Sequence, residues 1–462
     1  MKLETSPSYR LLNSRFDSTV RRVMRIYPPG KLVIYGIAIY VLIASLANLW
    51  MAIDFRISGN AIFTGGLQED PLYELGTSLG FWGIIYFGLN FILATRWRWV
   101  ETGFAGMDKV YRAHNFAGRM ALTLLVLHGA ILIAQALPDL NLLNTYLLPG
   151  VDWGYTTGVA GLLLLILLVT VTIWVKLPYQ TWLRSHTWMG VPYVLGGLHA
   201  ILLQGDWYMI AITTLGSYAW LYKLLWYPRR GPRVAGHVEK VDAKASVTDL
   251  HIKFDRPFSS KAGQYVFLSI QGANGRVDAE VHPFSISGRP DERTLRISAK
   301  ALGDYTRTLS GARPGDAAVI WGPYGSFGDA YLNTDHDLVW IAGGIGITPF
   351  LDMLAHERRS TSHRSRRIDF FWTTARAEDA LYLDEIEQAC RQLPHVYFHL
   401  HVTSCQGLLT ADAIVETVGA HSSTSPIFLL CGPKPMIHAL RRQLRSRDVH
   451  HADIISEEFG MR

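Results

Sequence analysis

The sequence contains very little cysteine and no internal repeat or low-complexity segment. Its three cysteines are Cys390, Cys405 and Cys431, and all of them lie in the second half of the chain. Three separated thiols exclude a disulfide framework and a CxxC metal site, and they suit a reducing compartment for that half. The first thirty residues are polar and basic and lack a signal-peptide cleavage pattern, so we expect no cleaved leader.

Charged residues are scarce between residues 31 and 226, where long apolar runs dominate, whereas the rest of the chain has the composition of a soluble protein. About 20 mainly apolar residues are enough to cross a bilayer. Six segments qualify, at 31–53, 75–95, 114–136, 155–176, 186–204 and 207–227. The fifth is the least apolar. We therefore predict a six-helix transmembrane bundle in a plasma membrane or a bacterial inner membrane.

The net charge of +6 is distributed over alternate loops of this bundle. Basic residues occupy the N-terminal flank, the second and fourth loops and the segment after the sixth span, whereas the other loops carry mainly aspartate and glutamate. Lysine and arginine in short loops remain on the cytoplasmic side. We expect both termini and the soluble half to be cytoplasmic, and the basic residues to serve topology and not nucleic-acid binding.

Histidine is also rare in the membrane half, where only His114, His128, His186 and His199 occur. The first two lie on the third predicted span and the last two on the fifth, and both spans run outwards. Fourteen residues of helix rise about 21 Å and thirteen about 19.5 Å, which is most of a hydrocarbon core of ~30 Å. Because neutral imidazole is a good ligand for iron, one histidine from each span at each of two depths predicts two bis-histidine haems.

Two features of this pattern leave alternatives open. Thirteen residues do not return to one face of a regular helix, so the fifth span is distorted near Pro192 or the two haems tilt differently. A single histidine in a span is more often a hydrogen-bonded core residue than a ligand, and only the paired set favours haem. A two-metal site is a poor alternative, since the spans lack paired carboxylates.

The soluble half changes pattern twice. Residues 232–330 contain six short strand-like segments with turn signals, which predicts a small antiparallel β-barrel. Strands then alternate with helices from about residue 337 onwards, which predicts a doubly wound α/β domain. The predicted fold is therefore multidomain, with a six-helix transmembrane bundle, a β-barrel and an α/β nucleotide domain.

Each soluble domain carries motifs suited to a redox cofactor. In the barrel, Phe284 offers an aromatic plane to a flavin ring, Ser285 and Ser287 offer hydroxyls, and Gly303 and Thr306 let a diphosphate approach backbone N–H groups. In the α/β domain, the glycine turn Gly343–Pro349 links a strand to a helix, as dinucleotide-binding turns do. Switch-point geometry places nicotinamide beside this turn and the Cys431–Pro433 segment.

In motif content and order the chain resembles the ferric reductase / NADPH oxidase superfamily, in which a ferredoxin-NADP reductase module follows a six-helix haem domain. The motifs are His282-Pro-Phe-Ser285, Gly343-Gly-Ile-Gly-Ile-Thr-Pro349 and Cys431-Gly-Pro433, together with the histidine spacings. The resemblance implies an N-terminal segment at 1–30, a haem domain at 31–230, an FAD-binding barrel at 231–332 and an NAD(P)H-binding domain at 333–462.

The resemblance also implies a role for each matching residue. For haem b, His114 with His186 would hold the inner group and His128 with His199 the outer one. The implied FAD contacts are His282, Pro283, Phe284, Ser285 and Thr306. The NAD(P)H diphosphate would contact Gly344, Gly346, Thr348 and Pro349. Nicotinamide would contact Cys431, Gly432 and Pro433. Phe459 would cover the flavin until nicotinamide displaces it, and Arg376 occupies the position that favours NADPH over NADH.

One departure from the family affects the acceptor. Animal NADPH oxidases have a further histidine one turn beyond the outer ligand, where this chain has Leu132. The resemblance therefore implies an external one-electron acceptor that is either a ferric chelate or oxygen, without selecting a dedicated superoxide generator. Two other hypotheses remain: a flavin reductase whose membrane half is a haem-free anchor, and a transporter with a regulatory nucleotide domain.

Overall fold

Helices and strands separate along the chain, as the composition predicts. The computed structural model describes residues 28–58, 71–104, 106–272, 280–360, 366–419 and 426–458. The chain divides into a helical unit, which comprises the described residues from 28 to 231 apart from 106–108, and a reductase unit, which comprises the described residues from 232 to 458 together with 106–108. The division at residues 231 and 232 falls where the apolar runs end.

Ten α-helices account for the described part of the helical unit. They are α1 Pro29–Ser58, α2 Pro71–Ala94, α3 Arg98–Phe104, α4 Met107–Ala136, α5 Leu140–Leu147, α6 Trp153–Trp174, α7 Tyr179–Thr187, α8 Gly190–Gln204, α9 Trp207–Leu221 and α10 Tyr227–Arg230, with a π-helical turn Tyr222–Trp226 before α10. Large apolar side chains such as Leu163, Leu167 and Ile173 are exposed on the outside of the unit. Such a surface is expected for helices that face lipid.

Four helices are long and apolar enough to cross a membrane within the described residues: Pro29–Leu46, Leu72–Ala94, Met107–Ala136 and Trp153–Trp174. The segments predicted as the fifth and sixth spans are also helical. However, α8 and α9 have 15 residues each, a rise of about 22 Å, which is short of a core of ~30 Å. The protein is an integral membrane protein, and the count of six spans remains a prediction.

The predicted fifth span is broken, and the break has a local cause. Helix α7 ends at Thr187 and α8 begins at Gly190. Between them, backbone N–H groups donate to carbonyls three residues back, as Met189 does to His186 and Val191 to Trp188. Pro192 has no N–H and cannot form the next α-helical bond. A three-residue turn rotates the chain by about 120° per residue, about 20° more than an α-helix does. The break therefore changes the relative directions of His186 and His199.

The predicted barrel is present. Its strands are β1 Arg233–Lys244, β2 Val247–Phe254, β3 Tyr265–Gln271, β4 His282–Asp291, β5 Thr294–Lys300 and β6 Ala317–Tyr324, and the short helix α11 Asp304–Thr308 follows β5. The strands pair antiparallel in the closed order β1-β2-β5-β4-β3-β6. Alternate residues such as Leu250, Ile252 and Ile297 fill the interior.

The α/β domain is a five-stranded parallel sheet with the order β11-β10-β7-β8-β9. Its strands are β7 Leu338–Gly343, β8 Ile368–Thr374, β9 Val396–Val402, β10 Ile427–Gly432 and β11 Ile454–Glu458. The helices are α12 Asp329–Leu332, α13 Thr348–Arg359, α14 Leu383–Cys390, α15 Thr403–Gln406, α16 Ala411–Gly419 and α17 Lys434–Arg445. Both faces of the sheet are buried. The strand order reverses between β7 and β10, which defines the switch point.

Buried polar contacts join the barrel to the α/β domain within the reductase unit. Asp352 on α13 is fully buried and accepts hydrogen bonds from Arg289 Nε at 3.0 Å and from the Gly263 N–H at 3.2 Å. Arg296 on β5 forms a two-pronged ion pair with Glu385 on α14, with both N···O distances 2.8 Å. These contacts hold the two domains in one orientation.

Candidate functional site

The four membrane histidines form two pairs. The ring centroids of His114 and His186 are 6.0 Å apart, and those of His128 and His199 are 6.1 Å apart. The ring planes are inclined by 69° in the first pair and 66° in the second. Two imidazoles that bind one metal from opposite sides, each through a nitrogen about 2 Å away, place their ring centroids about 6 Å apart. Both pairs therefore have the separation of a bis-histidine metal site.

Three of the four imidazoles are fixed through Nδ1. His128 Nδ1 donates to the Gly76 carbonyl at 2.7 Å, and His199 Nδ1 donates to the Gly154 carbonyl at 2.8 Å. His114 Nδ1 donates to the backbone carbonyl of residue 90 at 3.2 Å. A carbonyl oxygen can only accept, so each Nδ1 carries the proton and each Nε2 keeps its lone pair. That is the tautomer a metal ligand requires.

His186 differs from the other three. Its Nδ1 is buried and has no hydrogen-bond partner among the described residues. Its ring stacks on Trp182, one turn earlier on α7, with centroids 5.3 Å apart and planes 8° apart. An aromatic ring therefore sets the orientation of this imidazole, where a backbone carbonyl sets it for the others.

Glycines that no sequence-based prediction selected leave the space in which the His128–His199 pair lies. A Cβ on Gly80 would lie 2.7 Å from His128 Nδ1, and one on Gly158 would lie 2.6 Å from His199 Nδ1. Both glycines and both histidines line a mostly apolar cavity of about 270 Å³. The available signal was the pair of Gly-x-x-x-Gly spacings in α2 and α6, which usually indicates close helix packing.

The donor set distinguishes between kinds of metal. Among the described residues there is no group of three or more histidine, cysteine or acidic side chains that could hold a metal ion. A structural zinc needs four protein ligands and a catalytic zinc three. Two facing imidazoles in each pair, with apolar surroundings at the His128–His199 pair, fit a haem, because its porphyrin supplies the remaining ligands.

In the barrel, the structure brings two of the predicted flavin motifs together. His282 on β4 stacks on Tyr305 of α11, with ring centroids 4.1 Å apart and planes 17° apart, and Phe284 lies 6.4 Å from Tyr305. His282 Nε2 also donates to Glu280 at 2.6 Å. The His282–Ser285 motif and the Asp304–Thr308 helix therefore form one aromatic surface at the barrel edge.

The hydroxyls of this region are not equally available. Ser287 is fully buried, donates to the Arg296 carbonyl at 3.0 Å and accepts from Ser298 Oγ at 2.8 Å, so its hydroxyl serves the barrel. Thr306 Oγ1 accepts from the Gly303 N–H at 2.9 Å and thereby caps the short helix. Ser285 and Pro283 lie on β4 opposite residues 265 and 267 of β3.

The two nucleotide motifs meet at the switch point. Cys431 pairs with Ala342 across the parallel strands β10 and β7. A Cβ on Gly346 would lie 2.3 Å from the Cys431 carbonyl oxygen, and one on Gly343 would lie 2.9 Å from Pro433. A Cβ on Gly432, whose φ is +155°, would lie 3.0 Å from the Gly343 Cα. Only glycine allows the two backbones to approach this closely.

The remaining predicted nucleotide residues surround this point. Gly344 adopts φ +52°, a left-handed conformation that suits glycine. Thr348 and Pro349 form the buried first turn of α13, and Thr348 Oγ1 donates to the Ile345 carbonyl at 3.1 Å. Arg376 follows β8 and forms an exposed ion pair with Glu378 at 3.1 Å. Phe459 lies outside the described residues.

Two buried titratable groups adjoin the nucleotide loops. Burial raises the pKa of the Cys431 thiol well above its usual value, so the thiol stays protonated. Glu457, which no sequence-based prediction named, lies opposite Cys431 in the β10–β11 register. Burial raises the pKa of its carboxyl group to about 8, and its Oε2 has no hydrogen-bond partner among the described residues.

Three family models match the chain in the order of its domains. The ferric reductase like transmembrane component matches residues 79–197. The FAD-binding domain matches residues 237–313, and the oxidoreductase NAD-binding domain matches residues 340–442. The first match covers His114, His128 and His186 and ends two residues before His199. The FAD-binding match covers β2 to β5 and most of β1, and the NAD-binding match covers both switch-point loops.

Curated relatives match over about half of the chain. NADH-cytochrome b5 reductase 1 of Emericella nidulans is 28% identical over 225 residues, which are 45% of this chain and 72% of the relative. The phenol 2-monooxygenase reductase component DmpP of Pseudomonas sp. (strain CF600) is 32% identical over 244 residues, 47% of this chain and 63% of the relative.

Among solved structures, the flavohem-like FAD/NAD-binding domain of nitric oxide dioxygenase from Vibrio cholerae is 20% identical, with a TM-score of 0.43, and the match covers 50% of this chain and all of that chain. A ferredoxin NADP+ reductase from Neisseria gonorrhoeae is 18% identical, with a TM-score of 0.43, and covers 50% of this chain and 99% of its own.

Proposed function

The chain has the domain architecture of the ferric reductase / NADPH oxidase type, and from that premise we propose that it transfers electrons from cytosolic NAD(P)H, through FAD and two b-type haems, to an acceptor on the outer face. That it is an NAD(P)H-dependent oxidoreductase with FAD- and NAD-binding domains follows from the matches themselves. The haems, the direction across the membrane and the acceptor belong to the proposal.

The observation that carries the proposal is the pair of facing imidazoles at each of two levels, with centroids 6.0 Å and 6.1 Å apart. His128 and His199 present Nε2 because backbone carbonyls occupy their Nδ1 protons. His114 does the same at the other level. A haem-free membrane anchor has no need for four imidazoles in matched pairs, since unpaired polar groups within a span are costly.

When bound, FAD accepts a hydride from the nicotinamide nucleotide, and haem iron carries electrons singly, so the two cofactors convert a two-electron donor into one-electron steps. The protein contributes orientation. The stacked rings of His282 and Tyr305 offer a flat surface at the barrel edge. The glycine loops at Gly343–Thr348 and Cys431–Pro433 bring backbone groups to the switch point, where the nicotinamide nucleotide would bind.

Glu457 supplies a proton-holding group beside the nicotinamide loop. With a pKa of about 8, its carboxyl group is largely protonated at neutral pH. Cys431, in the neighbouring strand position, is neutral as well, because burial raises its pKa. Both groups are therefore largely neutral at neutral pH.

Most residues near the His128–His199 pair are apolar or aromatic. Leu132, where animal NADPH oxidases have an additional histidine, lies against Gly76, so this position is apolar. Tyr146 and Tyr155, with ring centroids 4.7 Å apart, line the cavity beside His199. The proposed external acceptor is a ferric chelate, oxygen or another one-electron acceptor on the outer face.

An optical spectrum of detergent-purified protein, recorded before and after anaerobic addition of NADPH, tests the proposal. We expect sharp reduced b-type bands and close to two haems per flavin, and a loss of one haem each in His128→Ala and His114→Ala. Ferric chelates and oxygen are then compared as acceptors in steady-state assays. Bleaching of the flavin without any haem band would contradict the proposal and leave a membrane-anchored NAD(P)H:flavin reductase.

A further inference from the structure

The two outer histidines rest against the same backbone arrangement on two different helices. On α2, Gly76 and Gly80 are four residues apart, and on α6, Gly154 and Gly158 are four residues apart. In each pair the carbonyl of the first glycine accepts the Nδ1 proton of a histidine: Gly76 on α2 accepts from His128, and Gly154 on α6 accepts from His199. We call these two glycine pairs the outer cradles.

The second glycine of each cradle leaves room for the imidazole ring. A Cβ at position 80 would stand 2.7 Å from His128 Nδ1 and 2.9 Å from its Cε1. A Cβ at position 158 would stand 2.6 Å from His199 Nδ1 and 2.8 Å from its Cε1. These contacts are shorter than carbon and nitrogen tolerate, so any larger side chain displaces the ring from its carbonyl acceptor.

The inner level lacks this arrangement. His114 Nδ1 has a longer bond, 3.2 Å, to a carbonyl on α2, and His186 Nδ1 has no partner among the described residues. Of the glycine contacts within 4 Å that the structure shows, none involves His114 or His186. Since a carbonyl on Nδ1 makes an imidazole a more basic ligand, the outer pair donates more electron density to a bound metal than the inner pair.

We infer that Gly76 with Gly80 and Gly154 with Gly158 are positioning residues, which fix the orientation and tautomer of the outer histidines and give the outer haem the lower reduction potential of the two. The inference rests on the proposed function, because it requires a haem at each level. With four histidine ligands alone, the two haem sites would be equivalent, and the cradle glycines would make their reduction potentials differ.

A purely structural explanation has to be separated from this one, because Gly-x-x-x-Gly spacings also bring apolar helices together. The same helices provide matched controls three residues further on. A Cβ on Gly83 would lie 2.7 Å from the Leu125 side chain, as close as the Gly80 Cβ would be to His128. A Cβ on Gly161 would lie 3.2 Å from the Leu195 Cβ. Alanine at 83 or 161 therefore crowds the helix packing without touching a histidine.

The experiment compares Gly80→Ala and Gly158→Ala with Gly83→Ala and Gly161→Ala in the full-length purified protein. Haem per flavin, the low-spin ferric resonances and an anaerobic potentiometric titration are measured. We expect the first two variants to lose up to half of the haem, or to shift the lower-potential step upwards, with the higher-potential step unchanged. The two controls keep both haems at wild-type potentials. Identical haem content and potentials in Gly80→Ala and Gly83→Ala would overturn the inference, as would a shift confined to the higher-potential step.

A double variant keeps the test decisive if Gly80→Ala is poorly folded. If Gly80 acts through His128, then Gly80→Ala added to His128→Ala changes neither the remaining haem nor the flavin content. A further loss of the inner haem in the double variant would show general damage to the helices and contradict a positioning role. If wild-type protein carries two haems and Gly80→Ala has the same haem content and potentials, the inference is refuted and the proposed function stands. Wild-type protein without haem refutes the proposed function and the inference together.

Discussion

The membrane half and the reductase half build their candidate sites from different parts of the chain. In the helical unit, four imidazole side chains face each other in pairs about 6 Å apart. In the reductase unit, the switch point is made of backbone, where Gly346 and Gly343 lie against the Cys431–Pro433 segment. Side chains provide the chemistry in the first case, and the absence of side chains provides the space in the second.

This difference predicts how each half responds to substitution. Truncating one ligand side chain removes the metal ligand but leaves its helix intact, because helices in a membrane satisfy their own backbone hydrogen bonds. A glycine in a backbone-built site is damaged by adding a single carbon. Loss of function should therefore be confined to one cofactor level in the helical unit and spread to the neighbouring strand in the reductase unit.

The largest expected effect is that of His128→Ala. The variant should lose one haem per chain and essentially all reduction of the external acceptor, because the outer level loses one of its two imidazole ligands. Bleaching of the flavin by NADPH should remain at the wild-type rate, and it serves as the internal control. The measurement is haem per flavin together with stopped-flow absorbance. A variant that still reduces the acceptor at the wild-type rate would contradict the assignment.

Gly346→Ala extends the comparison to backbone. The added Cβ would be 2.3 Å from the Cys431 carbonyl oxygen, so the two loops must separate and the dinucleotide site is distorted. We expect the KM for NAD(P)H to rise at least about tenfold, a loss of ~1.4 kcal/mol of binding, with FAD and haem contents unchanged. Gly344→Ala is the matched control, because its Cβ meets nothing within 4 Å and only its φ of +52° opposes substitution. An equal rise in KM for both variants would show that loop conformation, not the close approach, decides binding.

Asp352→Ala tests the joint between the barrel and the α/β domain. It removes the buried partner of Arg289 and leaves that guanidinium without its carboxylate. Breaking a buried ion pair costs about 3–5 kcal/mol, which denaturation followed by flavin fluorescence would detect in the reductase unit. Lys253→Ala, which removes an exposed pair with Glu239, should cost below about 1 kcal/mol. If the two variants unfold at the same denaturant concentration, the buried contact does not stabilise the joint.

Glu457 gives the last of these effects, on the pH dependence of stability. The folded-state pKa of Glu457, about 8, is above the value of about 4.3 in an unfolded chain. The folded protein therefore binds this proton more tightly, and the stability linked to it is present at low pH and is lost as pH rises towards 8. Glu457→Gln should flatten the decline in thermal midpoint between pH 5 and 8. A decline as steep as that of wild type would show that other groups cause it.

Much of the fold followed from sequence pattern, because the relevant signals are local. Six short strand-like segments with turn signals predicted the barrel, and the alternation of strands and helices predicted the parallel sheet. The strand Ile454–Glu458 was not predicted, since a short edge strand with two terminal glutamates has no distinctive pattern. The break between Thr187 and Gly190 was predicted only as a distortion near Pro192, because the residue pattern does not indicate where the hydrogen bonds of a three-residue turn will form.

The candidate site was predictable where side chains carry it. His114, His128, His186 and His199 stand out as the histidines of the membrane half, and the structure brings them together in the expected pairs. The cradle glycines and Glu457 were not found, because their role depends on which helix or strand lies opposite. Ser287 was selected for its hydroxyl, but that hydroxyl is hydrogen-bonded inside the barrel, which alternation along a strand cannot distinguish.

Transfer across the membrane is tested most directly in sealed vesicles that contain the purified protein and a trapped, membrane-impermeant one-electron acceptor. NADPH added outside reaches only the molecules whose reductase unit faces outwards. The account predicts reduction of the trapped acceptor, at a rate that His128→Ala abolishes while external flavin reduction continues. If only an acceptor added outside is reduced, with none inside, then electrons do not cross the membrane and the central claim is wrong.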